Sequence, residues 1–283
     1  MIYRTILYTG CLLYLLAAGE KYDKFTKKIP VNGEQTVEVN IEFNTGKLRI
    51  EPTDEDVILD GTFRYKKTEP EIDYRDGILD ISAGKNEHKK EINITLNSFS
   101  DIKENEWRLK FGKNISYKIH LEMGATEASL NFGQIKVQNL NIESGASKTE
   151  IRFNEPNPVV LENFDIEAGV SKFTVFDLLN ANFKRMNFQG GVGDYELFFT
   201  GTILRPAYIK ADISVGSLSI YIPKSVPYHV DCDKSMFCSF SVDNAYQNDD
   251  NSWYSENFKD SETFLDFDLD TGVGIVSVQR IKN

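Results

Sequence analysis

Residues 140–153 read LNIESGASKTEIRF, and residues 164–176 read FDIEAGVSKFTVF. Aligned on Gly145 and Gly169, the two stretches match in chemical type at most positions up to Lys148 and Lys172, and again at Ile151 and Val175. An apolar-x-apolar-x-x-Gly motif is followed six residues later by another apolar side chain. The same pattern runs through Ile119, Leu121, Gly124 and Leu130 before it, and through Met186, Phe188, Gly191 and Leu197 after it. In a fifth copy Ile209, Ala211 and Ile220 keep the spacing while Ser214 stands in place of the glycine. Successive copies are 21, 24, 22 and 23 residues apart, a period expected of a solenoid.

Within each copy the apolar period is two, which is the mark of a strand with one buried and one wet face. Gly145 and its counterparts then break the strand, since glycine takes positive φ at no steric cost. A second short strand follows, as in Thr149–Phe153. Each unit is thus expected to hold two strands and two bends. One unit cannot bury its own apolar row, so neighbours must stack as parallel strands. The expected fold is all-β, a single-stranded right-handed β-helix or β-roll solenoid with divergent capping ends. Its corners are expected at Gly46, Gly124, Gly145, Gly169, Gly191, Gly193, Gly216, Gly272 and Gly274. Turn chemistry, rather than ligand binding, accounts for these glycines.

Outward from the repeats, the chain divides by composition. Residues 1–19 carry one charge, Arg4, then an apolar run too short to span a bilayer, then Ala17-Ala18-Gly19. This reads as a signal peptide, so an exported protein in the periplasm, on the cell surface or outside the cell is expected, with no stable membrane insertion of the mature chain. Residues 20–34 form a polar lead-in. Residues 35–283 are read as one β-solenoid domain. It comprises an N-terminal part with hairpins (35–118), regular repeats (119–222) and a C-terminal cap (223–283). Val39, Ile41, Asn44 and Ile50 make a divergent first copy, and Phe267, Leu269, Gly272 and Val278 a last one. Asp76-Gly77 between Ile72–Tyr74 and Ile78–Ile81 signals a hairpin. Residues 85–106 read as a strand with long loops, and residues 156–158 and 244–259 read as loops.

The full chain of 283 residues has a formal charge of −11. It shows no cluster of Lys and Arg, so nucleic acid is excluded as an expected partner. Export allows a disulfide between Cys232 and Cys238. Two buried thiols or a metal site are the alternatives. His88, His120 and His229 lie far apart in sequence and offer no zinc spacing. Asp266, Asp268 and Asp270 resemble the start of a calcium loop, but the glycine falls one place late and the intervening Phe267 and Leu269 fit a strand. Asn248–Asn251 is a second acidic stretch that reads as a loop tip. Lys148 and Lys172, one period apart, read as a solvated face, and Arg185 and Arg205 lie in neighbouring units. No catalytic constellation and no cofactor motif is found.

The stretches NISYKIHLEMGATEASLNF, NLNIESGASKTEIRF, NFDIEAGVSKFTVF and FLDFDLDTGVGIVSV together resemble the bacterial toast-rack and putative-adhesin β-domains, with the related LiaF-like C-terminal domains of envelope-stress regulators. The resemblance covers roughly residues 35–280. It implies a β-helix or β-roll facing outside the membrane, with no enzymatic activity. The function expected is an exported, adhesin-like or envelope-associated binding module whose partner is an envelope or surface protein or a glycan. A carbohydrate-active enzyme on a β-helix, or a LiaF-like regulator, is the alternative.

Overall fold

A computed structural model describes residues 22–84, 105–249, 251–259 and 261–282. The expected signal peptide and most of the polar stretch 85–106 lie outside these. Strands are numbered β1 to β16 in chain order. Seven of them are long: β2 (Thr36–Thr53), β7 (Ser116–Asn131), β8 (Lys136–Arg152), β9 (Asn163–Phe176), β10 (Arg185–Phe198), β11 (Ala207–Pro223) and β16 (Leu265–Ile281). They stack in parallel in the order β2-β7-β8-β9-β10-β11-β16, as a β-helix-like solenoid whose sheet does not close.

Each long strand contains both halves of one repeat. Pairing runs from Leu140↔Phe164 to Ser144↔Ala168, omits Gly145 and Gly169, and resumes at Ala146↔Val170. The expected break at the glycine is therefore a bend within one continuous strand. Both arms turn their apolar side chains inward. In β8 these are Leu140 and Ile142 before the bend and Ile151 after it, all buried. Each such side chain contributes roughly 1.5–3 kcal/mol of burial, and the stack joins them into one core.

The chain returns from one coil to the next through loops whose backbone is satisfied by buried asparagines. Asn157 donates to the Val137 and Ala181 carbonyls at 2.8 and 3.2 Å. Asn182 donates to the carbonyls of Asn157 and Val159 at 3.2 and 2.9 Å. Pro156 and Pro158 are exposed as a loop reading predicts, but Asn157 between them is 1% exposed.

The two ends are built alike. At one end β5 (Ile78–Ser82) and β6 (Glu106–Gly112) pair in parallel with the first and second arms of β2. At the other, β12 (Tyr228–Lys234) and β13 (Cys238–Val242) pair in the same way with the two arms of β16. Each outer coil is thus split into two short strands, and the first and last long strands of the chain lie inside them. Antiparallel strands then stop the stack. These are β3 (Val57–Tyr65) on β6 with β1 (Asp23–Pro30) on β3, β4 (Glu71–Arg75) on β5, and β15 (Ser252–Ser255) on β12 with β14 (Ala245–Asp249) on β15. Caps of this kind keep a parallel edge from recruiting another chain.

Two local expectations change. Residues 23–30, read as lead-in, form β1, with Phe25 stacked on Phe63 at 4.9 Å. Residues 244–259, read as a loop, hold the β14–β15 hairpin, with Trp253 packed on Phe240 at 4.6 Å. Both stretches are polar because they cap the stack and keep one face wet. The hairpin at Asp76-Gly77 forms as expected, with both residues at positive φ (52° and 80°).

Candidate functional site

Stacking in register turns each repeat position into a row running along the solenoid. The glycine row is Asn44, Gly124, Gly145, Gly169, Gly191, Ser214 and Gly272, and its cause differs from the one the sequence suggests. Positive φ is confined to Gly46, Gly216 and Gly274 among the nine corner residues. At the others the reason is close approach between coils. A Cβ on Gly124 would lie 2.2 Å from the Asn44 carbonyl oxygen, and one on Gly191 2.5 Å from that of Gly169. Gly193, Gly216 and Gly274 lie two residues further on, where Cβ atoms would meet the preceding coil's carbonyl oxygens at 1.9, 1.9 and 1.8 Å. Thr126, Ser147 and Ser171 share that inward row.

Immediately after the glycines runs an exposed aliphatic row. Ala125, Ala146, Val170, Val192, Val215 and Val273 follow one another in register from β7 to β16. The four valines, with Ile275 beside them, are between 42% and 64% exposed. The Phe237 carbonyl accepts from the Gly274 amide at 3.2 Å, and Phe237 and Met236 continue the apolar surface at the capped end, 70% and 88% exposed. Burial in the core explains none of these side chains. The sequence carries the signal: the place after each glycine is on the outside of the bend, yet it is apolar in every regular copy.

Two residues before the glycines runs a second row. Glu42, Glu122, Glu143, Glu167, Gln189, Asp212, Asp270 and Asp233 stand in register on the outer face of the first arm. Glu122 meets His120 at 3.0 Å and Asp212 meets Lys210 at 3.9 Å. Glu143 and Glu167 have no ion-pair partner among the described residues. The neighbouring row behaves otherwise. There Asn40 bonds Asp80 at 2.9 Å, Asn141 bonds His120 at 3.0 Å and Asn187 donates to Asp165 at 2.6 Å, so its polar groups are satisfied along the axis. Beside the carboxylate row, a groove of about 410 Å³ is lined by Gly124, Gly145 and Gly169 and by Glu122, Glu143 and Glu167.

Other constellations resolve into structure. Asp266 and Asp268 lie on the wet face of β16, and Asp266 accepts from His229 Nδ1 at 2.8 Å. His229 Nε2 also lies 2.9 Å from Ser252 Oγ. This Ser-His-Asp relay ties β15, β12 and β16 together. Ser252 is only 8% exposed, so its hydroxyl is not presented to a substrate. Among the described residues no group of three His, Cys, Asp or Glu converges as metal ligands. Asn251 donates to Asp233 at 3.2 Å and so braces the turn next to β12. Cys232 is buried on β12, Cys238 begins β13, and neither is bridged. Lys148 and Lys172 are register neighbours on the second arm, beside a groove of about 570 Å³. Arg185 and Arg205 do not converge; each bonds an asparagine, Asn163 and Asn182, at 3.0 Å.

Phe176, Phe198 and Tyr221 form a half-buried aromatic row on the second arm, stacked face to face at 4.8 and 4.3 Å. The Arg152 guanidinium covers the free face of Phe176 at 4.0 Å. Rings stacked on one another turn their edges to solvent. A sugar-binding platform needs exposed faces, so this row stabilises the coils instead, at about 0.5–1.5 kcal/mol per pair.

No helix among the described residues is long and apolar enough to cross a membrane. No curated protein matches the chain. Among solved structures, a putative cell adhesion protein from Clostridium sporogenes superposes with a TM-score of 0.50 at 20% identity, over 92% of this chain and 100% of that one. A putative adhesin from Bacteroides fragilis aligns over 93% of this chain and 98% of that one, at 10% identity and a TM-score of 0.38. The first likeness is one of fold. A family model, the N-terminal domain of toast_rack, DUF2154, matches residues 18–175, more than half of the chain. With the stacked bent strands and their glycine row, that match makes the chain a member of the toast-rack family.

Proposed function

We propose that this protein is an exported, non-enzymatic binding module of adhesin-like type, which meets an envelope or surface protein along the outer corner of its solenoid. The observation that carries this reading is the in-register row of exposed aliphatic side chains from Val170 to Val273. Such side chains gain nothing from the core, and a continuous exposed apolar strip on a soluble domain marks an interaction surface. Export is supported by the apolar segment and small residues of 1–19. A protein partner fits better than a glycan, since the exposed strip is aliphatic and the aromatic row presents edges.

The test compares the wild-type chain with a Val170→Ser/Val192→Ser/Val215→Ser variant for binding to envelope fractions and intact cells of the producing species. The wild-type chain should bind and the variant should lose at least ten-fold in binding, with an unchanged melting temperature. Equal binding by both, or none by the wild type, refutes the corner as the functional surface.

A further inference from the structure

We infer that β13 is an assembly edge, through which two copies of this chain pair antiparallel about Phe240 and join their sheets into a two-fold symmetric dimer. This surface is separate from the corner.

Four short strands form the two outer coils, and three of them are covered: β5 by β4, β6 by β3 and β12 by β15. Among the described residues, β13 pairs with β16 alone and no strand lies on its other edge. The side chains register the difference. Trp107, Leu109 and Phe111 of β6, the equivalent strand at the opposite end, are at most 1% exposed. Cys238, Phe240 and Val242 of β13 are only partly buried. The turn leading into β13 adds exposed Met236 and Phe237.

The backbone of this edge is available as well. The Phe237 carbonyl accepts from the Gly274 amide at 3.2 Å, and the Asp243 amide donates to the Val278 carbonyl at 2.9 Å. Main-chain groups of alternate residues face the same side of a strand. Ser239 and Ser241 therefore also face β16, while Phe240 and Val242 point their N–H and C=O groups away from it. The Cys238 amide is held within the turn by the Ser235 carbonyl at 3.1 Å.

Unguarded edges recruit strands, and folded proteins blunt them with charge, proline or bulges. The other outermost strands are guarded in this way. β1 carries Lys24, Lys27 and Lys28, with a register shift at Pro30. β4 carries Glu71, Asp73 and Arg75. β14 ends at Asp249, beside a register shift. β13 reads Cys-Ser-Phe-Ser-Val and has none of these devices.

A second copy fits this edge because the edge is its own complement. Its order of apolar and Ser residues reads the same in both directions. Antiparallel pairing about Phe240 sets Cys238 against Val242 of the other copy, Ser239 against its Ser241, and the two Phe240 rings side by side. Aromatic pairs and hydroxyl pairs are favourable cross-strand neighbours. The two Phe240 residues, with their backbone groups facing out, exchange a pair of hydrogen bonds. A two-fold contact uses the same patch on both subunits, so assembly ends at the dimer. The formal charge of −11 opposes self-association over most of the surface, and the strand that meets its copy is uncharged.

The test is sedimentation velocity of the full mature chain and of two variants, Ser239→Lys/Ser241→Lys and Ser239→Glu/Ser241→Glu. Both serines are exposed, so each variant should keep the wild-type circular dichroism spectrum and a cooperative melt. Wild type should sediment as a dimer at micromolar concentration. Each variant alone should be monomeric, with association weakened at least ten-fold, because like charges then stand opposite one another. An equimolar mixture of the two should form dimers again, since Lys then faces Glu. The Val170→Ser/Val192→Ser/Val215→Ser variant should dimerise as wild type does. The inference is overturned if wild type is monomeric throughout, if either charge variant associates as tightly as wild type, or if the mixture stays monomeric. Loss of the dimer in the valine variant also overturns it, and places the contact at the corner.

Discussion

A Cβ placed on Gly169 would lie 2.7 Å from the carbonyl oxygen of Gly145 in the coil before it. The φ of Gly169 is not in the left-handed region, so the glycine is required by its neighbour and not by its own backbone. Stack spacing is the constraint, and it acts on a row of positions at once.

Gly169→Ala should therefore destabilise the protein by about 1–3 kcal/mol, the usual cost of overpacking against atoms that cannot turn away. Gly145→Ala, whose Cβ would meet the Gly124 oxygen at 3.1 Å, should cost less. Gly274→Ala should cost more than either, because φ is 146° there and the nearest carbonyl oxygen lies at 1.8 Å. Chemical denaturation of the three variants checks the order. Equal effects at Gly145 and Gly169 would show that the stack adjusts freely.

Asn157 ties one return loop to the coils on both sides of it. Asn157→Ala removes both donations, to Val137 and Ala181, and leaves buried carbonyls without them. A loss of about 2–3 kcal/mol is expected, since each orphaned buried polar group costs about 1–3 kcal/mol. Asn157→Asp should be at least as damaging at neutral pH, because a carboxylate cannot donate to a carbonyl. Thermal melts of both variants at pH 7 decide this, and wild-type stability in Asn157→Ala would mean that the loop is held by its backbone alone.

Tyr228 is buried, and its hydroxyl donates to the Asp243 carbonyl at 3.0 Å. Burial pushes its pKa up to about 12, and burial raises Tyr117 further still. An unfolded tyrosine titrates near 10. Between these values the folded state holds the proton and the unfolded state releases it. Stability is thus fully present below about pH 10 and falls as pH rises toward 12. Urea midpoints taken from pH 8 to 11.5 should show this fall, and Tyr228→Phe should make it shallower. An identical slope in the variant would remove Tyr228 from the account.

The last strand of the chain, β16, sits between β11 and the split coil of β12 and β13. Ending the chain after residue 264 removes buried Leu265, Phe267, Leu269, Val276 and Val278. At roughly 1.5–3 kcal/mol each, their loss approaches or exceeds the net stability of a typical domain, about 5–15 kcal/mol. The truncated chain should lose its cooperative melt by circular dichroism, and a synthetic peptide of residues 263–283 should restore it. A truncated chain that melts cooperatively would show that β16 only decorates the stack.

Much of the architecture is legible because its cause is local. Strict alternation in Leu140–Glu143 and Phe164–Glu167 names the buried face of each arm. The recurring glycines mark where the arms bend. The carboxylates before most of these glycines and the aliphatic residues after them are also in plain view. Their alignment is not, because one Glu on a wet face is unremarkable until seven carboxylates are found in one row.

By itself, then, the sequence determined an all-β solenoid, its period and its inward face, since alternation and repeat spacing are properties of neighbouring residues. Tertiary structure alone decided register, the reason for each glycine and the order of the ends. Whether Glu143 lies over Glu167, whether Gly169 faces the Gly145 carbonyl, and whether β16 goes inside β12 all depend on pairings between residues distant in sequence. Such pairings are chosen by the summed burial and hydrogen bonding of whole strands, a quantity that no short window of residues contains.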